Sequence, residues 1–550
     1  MGGPGASRPL DDLLAAGERE NVEFKEFLSP EVHLARDRKE TLACQMNHRL
    51  LAGEGTALYV IGISDDGAPA NLDAAKAEGT VRVLEAVAAE VGARVASVEL
   101  APVNGGRAGL VTIERLRGEG GGPVDGGRRA IGPPPPGDSA RILVGTAGHV
   151  HHGKSTLVGT LTTRHRDDGA GRTRLYLDLL PHEVERLLSA ELSYGVYGFR
   201  EGRPLRVRNP RDKREKAVVV ERAERLVSFL DTVGHEPWLR TTIRGIVGQR
   251  LDYGLLVVAA DDGVTHITRE HLGVLLAMEL PVLIVVTKVD RVEAPRRAEV
   301  LQEVSDLLAR IGRAARPVTR LEEMEDLLRD PGRMRAVFPV LQASAVTLEG
   351  YDLLDALFGA LPPRAAPGGG PFELYVDKVY SVAGVGAVLS GTVKQGTVRP
   401  GEVLRLGPRE DGSFTEVRVQ SIEVHYFRVD RARAGDVVGV AVRGVRPSEV
   451  RRGMLLASEP PRPAREFEAD VTILNHPTRI KRGYEPVVHL ETVCESARFT
   501  WMERPYMMAG QRGRARLAFK FRPYAVAPGQ KFLFREGKSK GIGKVVRVVN

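Results

Sequence analysis

Gly148-His149-Val150-His151-His152-Gly153-Lys154-Ser155 fits the spacing G-x-x-x-x-G-K-[ST], and that stretch limits what the chain can fold into. Arg141-Ile142-Leu143-Val144 before it reads as a buried strand, and Thr156-Leu157-Val158-Gly159-Thr160-Leu161 after it as the start of a helix. In a strand–loop–helix, glycines let backbone N–H groups turn inward onto phosphate oxygens, and the helix N-terminus adds partial positive charge. Lys154 is then placed to reach the β- and γ-phosphates and the Ser155 hydroxyl to hold Mg²⁺. A glycine-rich turn with a chance Lys-Ser is the alternative, since 61 glycines offer many partial matches. The flanking strand and helix argue against it.

Further elements follow at the spacing a nucleotide fold requires. Leu226-Val227-Ser228-Phe229-Leu230 is a strand closed by Asp231-Thr232-Val233-Gly234. An acid there can hold Mg²⁺ through water, and the Gly234 N–H can meet a γ-phosphate. The apolar run from Val282 to Val286 leads into Thr287-Lys288-Val289-Asp290. A carboxylate at Asp290 can accept from both N1–H and the exocyclic amine of guanine, a pair adenine lacks. The Lys288 stem can lie over the base plane, and backbone N–H groups of Ser344, Ala345 and Val346 can contact the guanine carbonyl. A misread Asp290 would leave an ATPase instead.

The expected organisation is an N-terminal α+β domain (1–116), a Gly/Pro-rich linker (117–138), a mostly parallel α/β domain (139–363) and two antiparallel β-barrels (371–460 and 464–550). Glu23 and Lys25 in the first domain are expected on a solvated strand face. The last barrel interleaves aromatic and basic residues, as in Phe519-Lys520-Phe521-Arg522 and from Phe532 to Lys540. On strands this puts aromatics inward and bases on one outer face, which suits a phosphate backbone. The net charge of +8 fits such a partner without demanding it. Two cysteines, Cys44 and Cys494, exclude a disulfide framework or a cysteine-based zinc site and fit a cytoplasmic location. No apolar run is long enough to span a bilayer and no secretory signal pattern opens the chain, so no membrane role is expected.

Together the phosphate loop, Asp231-Thr232-Val233-Gly234-His235-Glu236, Thr287–Asp290 and the two barrels resemble a translational GTPase of the elongation factor Tu class. Tyr380 to Thr392, Leu474-Asn475-His476-Pro477-Thr478 and Phe534 to Lys540 narrow the resemblance to the GTP-binding protein one/two family. The resemblance implies GTP/GDP and Mg²⁺ as ligands, His235 as the catalytic residue that positions water, and Val150 as the residue that screens it. It also implies ribosome, tRNA or other RNA as partner, and a barrel arrangement that changes with the nucleotide. The sequence departs from the class at three places. His151 stands where the elongation factors carry an Asp linked to a monovalent cation, Thr287 replaces the usual Asn, and the first-switch hydroxyl is not evident, Ser189 being the residue the resemblance offers. A GTP-dependent adaptor, with protein partners reached through residues 1–116, is the alternative to a translation factor.

Overall fold

The computed structural model describes residues 21–34, 56–64, 72–91, 93–103, 106–115, 140–177, 192–209, 212–232, 239–363, 370–382, 385–537 and 539–549, with isolated positions between 13 and 70. Strand alternation in the N-terminal part becomes a four-stranded sheet. Its strands are β1 (Val22–Lys25), β2 (Thr56–Ile61), β3 (Ala93–Val103) and β4 (Gly106–Arg115), in the order β1-β2-β4-β3. Helix α1 (Ala74–Glu90), capped by the Asp73 side chain, covers one face through Val83, Leu84 and Val87. Glu23 departs from the expected solvated face. It is 6% exposed and pairs with Lys25 at 2.8 Å and with Arg49. A buried carboxylate must find opposite charge, and two cations supply it.

Residues 140–363 build a mixed sheet with helices on both faces. Its strands are β5 (Ala140–Ala147), β6 (Ser193–Arg200), β7 (Arg203–Leu205), β8 (Arg225–Asp231), β9 (Tyr253–Ala259), β10 (Val282–Thr287), β11 (Ala314–Pro317) and β12 (Val337–Gln342). The order is β11-β12-β10-β9-β5-β8-β6-β7. From β11 to β8 every pairing is parallel. The antiparallel β6–β7 hairpin then extends the sheet at one edge. β9 and β10 read Tyr-Gly-Leu-Leu-Val-Val-Ala and Val-Leu-Ile-Val-Val-Thr and are buried along their whole length, as central parallel strands require. Helices α2 (Lys154–Thr163), α4 (Leu239–Gly248), α5 (His266–Ala277), α6 (Ala294–Ala309) and α7 (Tyr351–Ala360) pack two apolar layers against the sheet, and α3 (Lys213–Arg222) turns Val219 and Val220 into a third core. All the nucleotide motifs within the described residues lie at the carboxyl ends of these strands, where an open α/β sheet offers its crevice.

Two closed barrels follow. In the first, six strands run Glu373–Tyr375, Leu455–Ala457, Val403–Gly407, Thr415–Val424, Val437–Arg443 and Gly386–Gln395, and the last pairs back onto the first. The second closes as Glu466–Asn475, Arg512–Phe519, Val493–Met502, Val487–Leu490, Lys531–Glu536 and Ser539–Val549. The first barrel is not a loose appendage. Val196, Val219, Val220 and Leu226 of the α/β domain share one apolar core with Leu374, Leu389 and Val440. Ser228 Oγ lies 2.8 Å from His425 Nε2 across the same junction.

The expected outer basic face of the second barrel is only partly free. Phe519, Phe532 and Phe534 point inward as expected. Lys540, however, pairs with Glu270 on α5, Lys520 with Glu485 and Arg522 with Glu410. Phe521 is exposed, because it lies just past the strand that buries Phe519. No described helix is long and apolar enough to cross a membrane.

Candidate nucleotide site

The phosphate loop joins β5 to α2. Its shape depends on residues that accept left-handed backbone: Gly148 has φ 140°, His151 φ 60° and Gly153 φ 84°. At Gly148 a Cβ would stand 2.3 Å from the Val257 carbonyl oxygen, so β9 presses the loop too closely for any side chain. Gly153 occupies the N-cap of α2, where no side chain caps the first amides. A helix start of this kind, with its dipole, suits an anion.

Lys154 is 5% exposed. Its Nζ donates to the carbonyl oxygens of Gly148, at 3.1 Å, and His149, at 2.9 Å. This folds the ammonium across the mouth of the loop, where phosphate oxygens would meet it. The Ser155 hydroxyl donates to Asp231 Oδ2 at 2.6 Å, and Thr146 Oγ1 donates to Oδ1 of the same carboxylate at 2.9 Å. Asp231 is 1% exposed. A buried carboxylate converging with a hydroxyl beside a phosphate loop is a hard-oxygen donor set, the kind Mg²⁺ prefers, so the residues present fit that ion.

On the far side, the Thr287 hydroxyl donates to the His152 carbonyl at 2.6 Å. It thus ties the end of β10 to the phosphate loop. Lys288 adopts φ 57°, and its Nζ lies 3.1 Å from Asp261 Oδ2, which also draws Arg291. Asp290 sits in the short turn Val289–Arg291 and is exposed. In the Ser344–Val346 loop, the Ser344 amide donates to the Glu349 carbonyl and the Val346 amide to Ser344 Oγ.

Several residues here escape sequence reading. His271 on α5 is buried, and its Nδ1 accepts from the Gly148 amide at 2.8 Å. Burial holds that imidazole down to about 3. Asp167 accepts from the amides of Gly169, Gly171 and Thr173 and donates its own amide to the Ala345 carbonyl. It so folds the turn that faces the 344–346 loop, and Arg291 closes that turn by donating to the Gly169 carbonyl. The Asp-Asp-Gly-Ala-Gly run at 167–171 was the available signal, since Asp side chains organise such turns. His152 is buried against Asp262, and burial pushes its ring down to about 4. His149 is lowered by burial too, and so is His151, where Arg174, Lys288 and Lys154 add to the effect. The hydrogen bond from His152 lowers the Asp262 carboxyl.

Of the residues expected from sequence, Gly148 to Thr156, Asp231, Thr287, Lys288, Asp290 and Ser344 to Val346 all lie on adjoining strand ends of this one sheet. Gly234, His235 and Ser189 lie outside the described residues.

The family described as "Elongation factor Tu GTP binding domain" matches residues 139–363, and "Elongation factor Tu domain 2" matches residues 386–457. GTP-binding protein 1 of Xenopus laevis is 31% identical over 520 residues, covering 93% of this chain and 77% of the relative. The chain belongs to the elongation factor Tu-type GTPases, alongside GTP-binding protein 1. Elongation factor 1-alpha of Methanopyrus kandleri is 32% identical over 383 residues, which is 66% of this GTPase and 82% of the relative. Among solved structures, the fold is similar to a bacterial selenocysteine-specific elongation factor EF-Sec, with a TM-score of 0.53 at 22% identity. That match covers 74% of the GTPase and 58% of the EF-Sec chain. GTP and GDP are therefore its nucleotides, with Mg²⁺ the ion its oxygen donors fit.

Proposed function

We propose that this GTPase acts in translation, binding GTP·Mg²⁺, engaging tRNA or the ribosome, and hydrolysing GTP when that RNA is in place. The observation that carries the reading is the 32% identity to an elongation factor 1-alpha over 383 residues, 82% of that relative. A surface feature adds to it. Arg512, Arg514 and Arg516 alternate along one strand of the second barrel, and Arg547 joins them from the far side of the intervening Glu466–Asn475 strand. These four guanidinium groups share the carboxylates of Glu468 and Asp470. The Arg516 guanidinium lies over the exposed Trp501 ring at 5.4 Å. Excess guanidinium beside an exposed indole suits a ribose-phosphate chain with accessible bases.

Each group has a task in this reading. The amides at the start of α2 and Lys154 bind the β- and γ-phosphates. Ser155 and Asp231 hold Mg²⁺, which when bound neutralises phosphate charge. Asp290 selects guanine, and with Ser344 and Val346 amides engaged inside their loop, the Ala345 amide serves the guanine carbonyl. His235 orients a water that attacks the γ-phosphorus as the bond to the GDP oxygen breaks, yielding GDP and phosphate. Positioning and charge stabilisation are most of what such a transfer needs.

The test is GTP hydrolysis at fixed enzyme with and without ribosomes, one arm receiving aminoacyl-tRNA. Strong stimulation in wild type, lost in His235→Ala with GTP binding intact, is the expected result. A flat response to ribosomes and tRNA would transfer the function to a GTP-dependent adaptor. Unchanged stimulation in His235→Ala would remove that residue from the mechanism.

A further inference from the structure

Asp262, in the turn between β9 and α5, faces two imidazoles of the phosphate loop. His152 Nε2 lies 2.8 Å from its Oδ2, and His149 Nδ1 lies 3.5 Å from the same oxygen. His149 Nδ1 is buried yet makes no hydrogen bond. The two rings meet edge to face, with centroids 5.2 Å apart, so neither blocks the other's nitrogen. His152 is pulled both ways. Its Nδ1 lies 3.3 Å from the Val257 carbonyl oxygen while Nε2 faces the carboxylate. A neutral imidazole has one N–H for these two acceptors. If Nδ1–H donates to Val257, the Nε2 lone pair faces an anion. A backbone carbonyl on one nitrogen and a free lone pair on the other is the arrangement that orients a metal-ligating histidine.

We propose that His149 Nδ1, His152 Nε2 and Asp262 Oδ2 form a binding site for a d-block divalent cation of the zinc type, separate from the Mg²⁺ site at Ser155 and Asp231. The three ligand atoms all lie within 4.8 Å of one another. Zinc bonds of about 2.0–2.2 Å place neighbouring ligand atoms roughly 3.3 Å apart in a tetrahedral shell. The 2.8 and 3.5 Å contacts bracket that spacing. Two imidazoles and one carboxylate suit Zn²⁺, Co²⁺ or Ni²⁺ and disfavour Mg²⁺, which prefers oxygen and keeps its water. Three protein ligands leave a further position for water. A cation there clamps the phosphate loop to the turn that leads into α5. It also relieves the lone pair–carboxylate contact and gives His149 Nδ1 its partner.

The probe is Co²⁺, added to chelator-stripped, nucleotide-free, full-length protein in excess Mg²⁺. The expected result is the intense visible absorption of low-coordinate Co²⁺, saturating at one equivalent and abolished by Zn²⁺. Asp262→Ala should weaken Co²⁺ binding by at least the roughly tenfold that loss of even an outer partner costs a metal site. His149→Gln should do the same. It is the second variant should circular dichroism show Asp262→Ala unfolded. Absence of the low-coordinate spectrum, or unchanged Co²⁺ affinity in the folded variant, overturns the site. So does a spectrum that forms without Mg²⁺ and is lost in excess Mg²⁺, because the ion would then be at Ser155 and Asp231.

Discussion

The Thr287 hydroxyl donates to the main-chain carbonyl of His152 at 2.6 Å, and Thr287 is buried. The end of β10 is thereby fastened to the phosphate loop by a buried side chain. Thr287→Val keeps the shape but leaves a buried carbonyl without its donor, a cost of about 1–3 kcal/mol. Because that loop must hold its shape to bind phosphate, GDP and GTP affinity should fall about tenfold for each 1.4 kcal/mol. Thr287→Ser should keep wild-type affinity. Titration with a fluorescent guanine nucleotide checks this, and equal affinity in the Val variant would sever the link.

Gly148→Ala places a Cβ 2.3 Å from the Val257 carbonyl oxygen at a φ of 140°. Backbone cannot yield as a flexible side-chain tip can, so the loop must move away from β9. We expect GTP binding to be lost and stability to fall by about 1–3 kcal/mol. Thermal unfolding with the same nucleotide titration measures both. A Gly148→Ala protein that binds GTP normally would contradict the loop geometry.

Stability should fall on acidification below pH about 6.5, the ordinary histidine pKa. Burial holds His271 and His425 down to about 3 and His152 down to about 4. Between those values and 6.5 the unfolded chain binds more protons than the folded one, so stability rises with pH there. It is fully present above the unfolded value and lost as pH falls toward the folded ones. Melting temperatures across that window should drop steeply. His425→Asn, which removes one of the three groups, should make the drop shallower. A flat profile would show these rings are not buried neutral.

Turnover and GDP affinity should be unchanged when K⁺ is replaced by Na⁺ at fixed ionic strength. The class resemblance puts His151 where an Asp linked to a monovalent cation is expected, and the charges of Arg174, Lys288 and Lys154 bear on it instead. That field attracts phosphate and repels a further cation. His151→Asp should introduce a K⁺ response. A K⁺ requirement in the wild-type protein would refute the argument.

The candidate nucleotide site was legible wherever its residues are contiguous. Gly148 to Ser155 is one loop, Asp231 and Thr287 each end an apolar strand, and Asp290 follows three residues on. Spacing along the chain is then spacing in space, because a parallel sheet brings its carboxyl ends to one edge. The two barrels were legible for the same local reason, in short alternating runs divided by glycines.

Partners drawn from elsewhere in the chain come from the fold alone. Asp262 reaches His152 across 110 residues of sequence and His271 reaches Gly148 across 123. No local pattern encodes either meeting. Charge was where sequence misled. Glu23 alternates as a solvated residue would, yet it is buried because Lys25 and Arg49 neutralise it. Lys540 belongs to a basic run, yet it is held by Glu270 on α5. Hydrophobic period and backbone-demanding glycines are properties of a segment, so the elements and the phosphate loop follow from local sequence. Whether a charged side chain meets solvent, RNA or a buried counter-ion depends on what the fold places opposite it.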